Sequence, residues 1–310
     1  MTISTFKTSD AQHPELPTLL IILSAVGFGT VPFFARSLTE AGMTPAAVAF
    51  YRYAFSAVAF LPFLRLGKQS WRVSMWGMLS GLIVGLGWIG YVNALQTLPV
   101  STAGVIYMTY PVFTVLIGWV FFGERPGRRA FLAVILVCAA AILASSPTLV
   151  GAGDLPAILL AFLAPLGFGV GINILARKLI GVPPLSRIAC KSLGSVVGLL
   201  PLILVLPAQE VLPQSSPGWG LIAGIALVTA LLPQLLFNIY VPVIGATKTA
   251  MASSMELPTM FMVGWIAFGE RLTFIQMLAG LMVVSAILIA PRARGKAMPK
   301  KATMGTDASR

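Results

Sequence analysis

The eight residues Gly118-Trp119-Val120-Phe121-Phe122-Gly123-Glu124-Arg125 recur 146 positions further on as Gly264-Trp265-Ile266-Ala267-Phe268-Gly269-Glu270-Arg271, with six of the eight identical. Other pairs keep the same order. Gly27-Phe28-Gly29 returns as Gly167-Phe168-Gly169, and Ala141-Ile142-Leu143 returns as Ala286-Ile287-Leu288. Pro45, Arg52 and Leu61-Pro62 return as Pro184, Lys191 and Leu200-Pro201. Self-similarity at a drifting offset is what a duplicated unit with small loop insertions leaves behind. The chain therefore divides into two copies, 17–146 and 156–291, between an N-terminal tail (1–16) and a basic C-terminal tail (292–310).

Each copy is built from apolar runs. They fall at about 17–36, 45–64, 73–95, 101–122 and 129–146, then 156–176, 184–206, 218–241, 248–268 and 273–291. The chain is 57% hydrophobic and only 10% charged, with a mean hydropathy of +0.92. Soluble domains carry about 25% charged residues, so this chain cannot cover a surface facing water in the ordinary way. Crossing a hydrocarbon core of roughly 30 Å takes about 20 residues of helix. In lipid an unpaired backbone group costs several kcal/mol, which a helix avoids by satisfying its own. The runs are about twice the length of a barrel strand and do not alternate apolar with polar. The expected fold is all-α: ten transmembrane helices, five per copy.

The charges set an orientation. With the N-terminus cytoplasmic, 17 of the 21 lysines and arginines fall in inner segments or the tails, and only Arg36 and Arg271 in outer loops. An excess of positive charge marks cytoplasmic loops, so both termini are expected inside. Five helices per copy make the second copy enter from the opposite side, an inverted repeat, with a binding site expected near the midplane where the halves meet. The net charge of +12 does not point to nucleic acid, because the basic residues lie between apolar runs and form no folded basic face. Cys138 and Cys190 lie inside apolar runs, and His13 is the one histidine, so no metal or redox spacing and no cofactor is expected. The first 15 residues do not read as a signal peptide.

The ten-helix plan and the Pro…Gly-Trp…Gly-Glu-Arg ending of the fourth and ninth runs resemble the drug/metabolite transporter superfamily, in its EamA-domain branch, over about residues 17–291. The resemblance implies two five-helix domains around a central cavity that opens alternately to each side. Known members export amino acids and other metabolites, and some eukaryotic relatives carry nucleotide sugars or sugar phosphates. One departure stands out. Glu256 precedes Leu257-Pro258, but its counterpart is Tyr110 before Pro111, so a role for an acidic residue there belongs to one half alone.

Three charged residues lie well inside the runs: Arg52, Lys191 and Glu256. Each costs about 2.5–3.5 kcal/mol at a helix centre, so each is expected to face a cavity or a partner. Lys191 and Glu256 lie at comparable depth and are expected to pair or share a pocket, with Arg52 near Tyr110 as their pseudo-symmetric couple. Structural ties between helices would use the same residues. Trp88 and Tyr91, Tyr107 and Tyr110, Gln234 and Asn238, and Ser253 and Ser254 offer the oriented polar and aromatic groups that a cavity for a compact organic solute needs. Helix-packing roles account for any one of them equally well. Gly27, Gly29, Gly167, Gly169, Pro111 and Pro258 are candidate hinges, and Glu124 and Glu270, beside arginines, read as ties that fix loops.

Without a phosphate-cradling loop, direct ATP drive is not expected. The leading function is secondary transport of a small-molecule substrate across a bacterial inner membrane: export of amino acids, with the aromatic residues favouring aromatic or large apolar ones by stacking. A monomer of ten helices makes a complete carrier. A nucleotide-sugar or other metabolite exchanger is the alternative within the superfamily. A channel or scaffold, or a polytopic membrane enzyme, is the alternative outside it; the enzyme lacks an intramembrane histidine or paired carboxylates.

Overall fold

The computed structural model describes residues 15–64, 71–144, 154–179, 181–253 and 255–289, with 241–251 described by backbone alone. Among these residues all regular structure is helical. The first half holds α1 (Leu16–Gly29), α2 (Val31–Glu40), α3 (Pro45–Phe60), α4 (Trp71–Ala94), α5 (Val100–Tyr107), α6 (Tyr110–Phe122) and α7 (Arg128–Ala144). The second holds α8 (Leu155–Ala161), α9 (Leu163–Lys178), α10 (Pro184–Leu204), the short α11 (Ala208–Val211), α12 (Ser216–Ala226), α13 (Leu232–Ser253), α14 (Glu256–Phe268) and α15 (Phe274–Ile289). Seven spans are long and apolar enough to cross a membrane, running from Leu16–Glu40 to Ser216–Tyr240, and α14 and α15 are shorter apolar helices. The chain is a multi-pass membrane protein. Residues 1–14 and the C-terminal tail, which hold 7 of the 17 inner lysines and arginines, lie outside the described residues.

Proline and threonine decide where spans break. α1 gives way to α2 at Thr30, whose hydroxyl donates to the Gly27 carbonyl at 2.8 Å, and Pro32 opens the next helix without needing a donor. Met108 and Thr109 separate α5 from α6 in the same way, with Thr109 bonded to Ile106 at 2.7 Å and Pro111 following. Between α12 and α13 the chain widens into a π turn over Leu227–Leu231. Pro233 has no N–H, so the α-helical bond to the Thr229 carbonyl cannot form, and that carbonyl is left to another donor.

One expected boundary is absent. The sequence reading separates runs at 241 and 248, but α13 continues from Leu232 through Ser253. Residues 241–247 are small or apolar and carry no charge, so nothing in that stretch forces the backbone into water.

The helices pack reciprocally. α4 of the first half lies against α9 and α10 of the second, and reciprocally α13 and α12 of the second lie against α1 and α3 of the first. α3 meets α10, and α7 meets α15, each pair joining equivalent helices of the two copies. The largest buried cluster spans both halves, through Val48, Tyr53, Trp88, Leu199, Ile225, Met260 and Val283. Outward faces carry exposed Phe121, Ile142, Leu204 and Phe274, as a lipid-facing surface does. Close crossings depend on glycine. A Cβ at Gly81 would collide with the Lys191 carbonyl, and one at Gly194 with the Met78 backbone, so these glycines let the backbones of α4 and α10 approach closely.

Candidate functional site

A cavity of about 290 Å³ opens between the halves. Its wall includes Arg52, Trp88, Tyr107, Tyr110, Lys191, Gln234, Asn238, Ser253 and Glu256, nine of the residues singled out from sequence. Tyr91 does not reach the cavity. It is fully buried behind the wall, 5.0 Å from the Trp88 ring and 5.6 Å from that of Tyr107. Ser254 lies outside the described residues. Tyr110 and Phe168 meet edge to face at 5.3 Å, and Tyr107 stands 6.0 Å from Tyr110, so the rings form one continuous wall.

The two cations differ in their freedom. Arg52, on α3, lies over Trp88 at 3.9 Å. Its Nη2 donates to the Thr229 carbonyl at 3.2 Å, its Nε to the Thr229 hydroxyl at 3.3 Å and its Nη1 to Tyr53 at 3.3 Å. The carbonyl orphaned by Pro233 is therefore held by Arg52. Lys191, on α10, has its ammonium 4.9 Å from the Phe168 ring, and among the described residues it makes no ion pair. Glu256, at the start of α14, is 8% exposed and also makes none. The described ion pairs are Arg36–Glu40, Arg36–Glu270 and Arg177–Glu124, all away from the cavity. Lys191 and Glu256 thus share the pocket without pairing. Arg52 sits with Tyr53 and Thr229 rather than coupled to Tyr110, because the freed carbonyl offers a better acceptor.

The candidate hinges have two settings. Gly27 and Gly29 precede the break at Thr30, and Pro111 follows the one at Thr109. Pro258 sits in the first turn of α14. Gly167 and Gly169 lie within an unbroken α9, against Ile83 and Phe113. The asparagine bonds inside Gln234's turn: Asn238 Nδ2 donates to the Gln234 carbonyl at 2.9 Å.

Sequence reasoning missed Phe28, Phe168 and Phe237 on the wall, and Leu175, Leu179, Arg187 and Ile188 at one end of it. Phe28 and Phe168 lie between the repeated glycines, a signal that was available. Glu124 and Glu270, read from sequence as loop ties, bond arginines on other helices. Arg177 bonds Glu124 at 2.7 Å and stacks on Phe122 at 4.1 Å; Arg36 meets Glu270 at 3.4 Å and Phe268 at 4.6 Å. The motif's other residues build this. Gly123 and Gly269 turn the chain at positive φ, and the bare surfaces of Gly118 and Gly264 leave room for the carboxylate to fold back.

The comparisons agree with this architecture. Residues 16–146 and 155–290 each match the EamA-like transporter family. The chain belongs to that family. This EamA-like transporter is 27% identical over 296 residues to a riboflavin transporter of Rhizobium johnstonii, covering 92% of the chain and 95% of the relative. It is 26% identical to an uncharacterized transporter of Archaeoglobus fulgidus, covering 88% and 95%. An S-adenosylmethionine uptake transporter of Rickettsia bellii matches at 35% identity over 81 residues, 25% of the chain and 28% of the relative. One solved structure shares the fold at a TM-score of 0.59 with 18% identity, covering 88% of this chain and 96% of the other.

Proposed function

We propose that this EamA-like transporter is a secondary carrier that exports amino acids with aromatic or large apolar side chains, by alternating access through the central cavity. The observation that carries the reading is the pairing of opposite, unpartnered charges with an aromatic wall. Lys191 and Glu256 both line the cavity without an ion-pair partner among the described residues. A buried charge without a partner is costly, and a zwitterion supplies both partners at once, a carboxylate for Lys191 and an ammonium for Glu256. The rings of Tyr107, Tyr110 and Phe168 suit a flat side chain, and the buried Ser253 hydroxyl, which has no hydrogen-bond partner among the described residues, adds a polar contact.

The body that does this is read as ten transmembrane helices in two inverted repeats, a monomer in a bacterial inner membrane with both termini cytoplasmic. It needs no cofactor and catalyses no reaction. The cavity end formed by Leu175, Leu179 and Arg187 neighbours Arg177, Lys178 and the basic segment 125–129, the cytoplasmic side by its positive charge. A cavity open to that side is loaded from within, which supports export. A second reading rests on the riboflavin transporter of Rhizobium johnstonii, similar over nearly the whole chain: a neutral heteroaromatic solute would use the same rings and leave both charges unmatched.

Counterflow in proteoliposomes tests this. Labelled tryptophan or phenylalanine should exchange saturably, and riboflavin should compete weakly. Saturable exchange of riboflavin without the amino acids favours the second reading, and flux linear in concentration for every solute points to a pore and overturns both.

A further inference from the structure

The two copies of the Gly-Glu-Arg motif are equivalent in sequence but not in what they hold. At one end of the molecule, Glu270 is engaged by another helix. Its Oε1 accepts from the backbone N–H of Val100 at 2.7 Å, and its Oε2 from the N–H and hydroxyl of Ser101, each at 3.3 Å. Gln276 donates to the same serine hydroxyl at 2.8 Å. Glu270 is thus the N-terminal cap of α5, placed where a carboxylate best offsets the orphan N–H groups and the helix dipole. Its side chain is only 13% exposed. At the other end, Glu124 keeps Arg177 alone among the described residues, and its side chain is 65% exposed.

The groups that would complete the second cap are identifiable by the 146-residue repeat. Val100 and Ser101 correspond to Ala246 and Thr247, which lie in the middle of the continuous α13. Inside a helix their N–H groups are already committed to carbonyls four residues back, so they cannot be capped as α13 stands.

This difference coincides with which end of the cavity is open. The wall extends past Leu175, Leu179, Arg187 and Ile188 at the Glu124 end. Of their counterparts at the Glu270 end, Ala35, Thr39, Val48 and Ala49, none lines the cavity. The capped glutamate stands at the shut end and the uncapped one at the open end.

We propose that Glu124 and Glu270 are alternating caps, each holding its own end of the cavity shut. When the Glu124 end closes, α13 breaks ahead of Ala246 and the freed N–H groups of Ala246 and Thr247 bind Glu124. When the Glu270 end opens, Glu270 releases Val100 and Ser101. Arg36 and Arg177 keep each carboxylate folded toward its helix throughout. The proposal rests on the alternating-access reading but not on the identity of the solute.

The test reads conformation rather than flux. In a Cys138→Ser, Cys190→Ser background, a single cysteine at Leu179 or at Val48 reports the Glu124 and Glu270 ends respectively, by its rate of labelling with a maleimide in detergent. Losing a cap worth about 1 kcal/mol should shift the balance of states about fivefold. Glu124→Gln should raise labelling of Leu179→Cys and lower that of Val48→Cys, and Glu270→Gln should do the reverse. The double substitution should return both rates toward the starting values. Should either glutamine variant fail to fold, Arg177→Gln and Arg36→Gln perturb the same two ends and should shift labelling in the same directions. Parallel changes at both ends, or none in folded variants, would show the glutamates merely fix loops and overturn the proposal. Because no solute is needed, a wrong assignment of the substrate leaves the test intact.

Discussion

Arg52 is the residue whose role changes most between the sequence and the folded molecule. In the sequence it is an intramembrane cation equivalent to Lys191; in the structure its donors are engaged by Thr229 and Tyr53 and its plane is covered by Trp88. A flat guanidinium that stacks and forks cannot be replaced by an ammonium at such a site. Arg52→Lys should therefore lower stability by about 1–3 kcal/mol, the scale of a lost charge-assisted hydrogen bond and a buried cation–π contact. A drop of several degrees in the melting temperature of the detergent-solubilised protein would register it. Lys191→Gln should behave oppositely, leaving the melting temperature nearly unchanged while raising the apparent KM for the transported solute about tenfold, since among the described residues Lys191 has no ion pair to lose. A large loss of stability in Lys191→Gln would instead mark the lysine as a tie between helices.

At the scale of elements, the crossing of α4 and α10 sets where the cavity charge stands. Gly81 meets the backbone of Lys191 itself, so the glycine fixes both the helix separation and the position of the ammonium. Gly81→Ala should push α10 away and cost about 1–3 kcal/mol, as overpacking does. Transport should fall with it, whereas Gly220→Ala, at a glycine with open space around it, should be silent in both a melting curve and a counterflow assay. The breaks within spans were partly legible beforehand, because Pro32, Pro111 and Pro258 advertise them. The π turn before Pro233 was not, since a proline says only that one bond is missing, and the surroundings decide whether the helix kinks, widens or stops.

For the whole molecule, the reading of ten helices with both termini inside makes a direct prediction. A C-terminal green fluorescent protein fusion should fluoresce and a C-terminal alkaline phosphatase fusion should be inactive; active phosphatase would remove the inverted arrangement as drawn. Hydropathy and the eight-residue repeat are properties of short stretches, and they are additive along the chain. For that reason the sequence by itself determined the all-helical membrane class, the duplication and the resemblance to the EamA-like transporters. The contacts that matter most at the site join residues far apart in sequence, such as Arg52 with Thr229 and Glu270 with Val100. Each residue step turns a helix by about 100°, so a one-residue change in register decides whether a side chain meets the cavity or lipid. Only the tertiary structure could decide that Lys191 and Glu256 share a cavity without pairing, or that two equal Gly-Glu-Arg motifs are engaged unequally. That inequality is a property of the conformation adopted, which two near-identical stretches of sequence cannot encode.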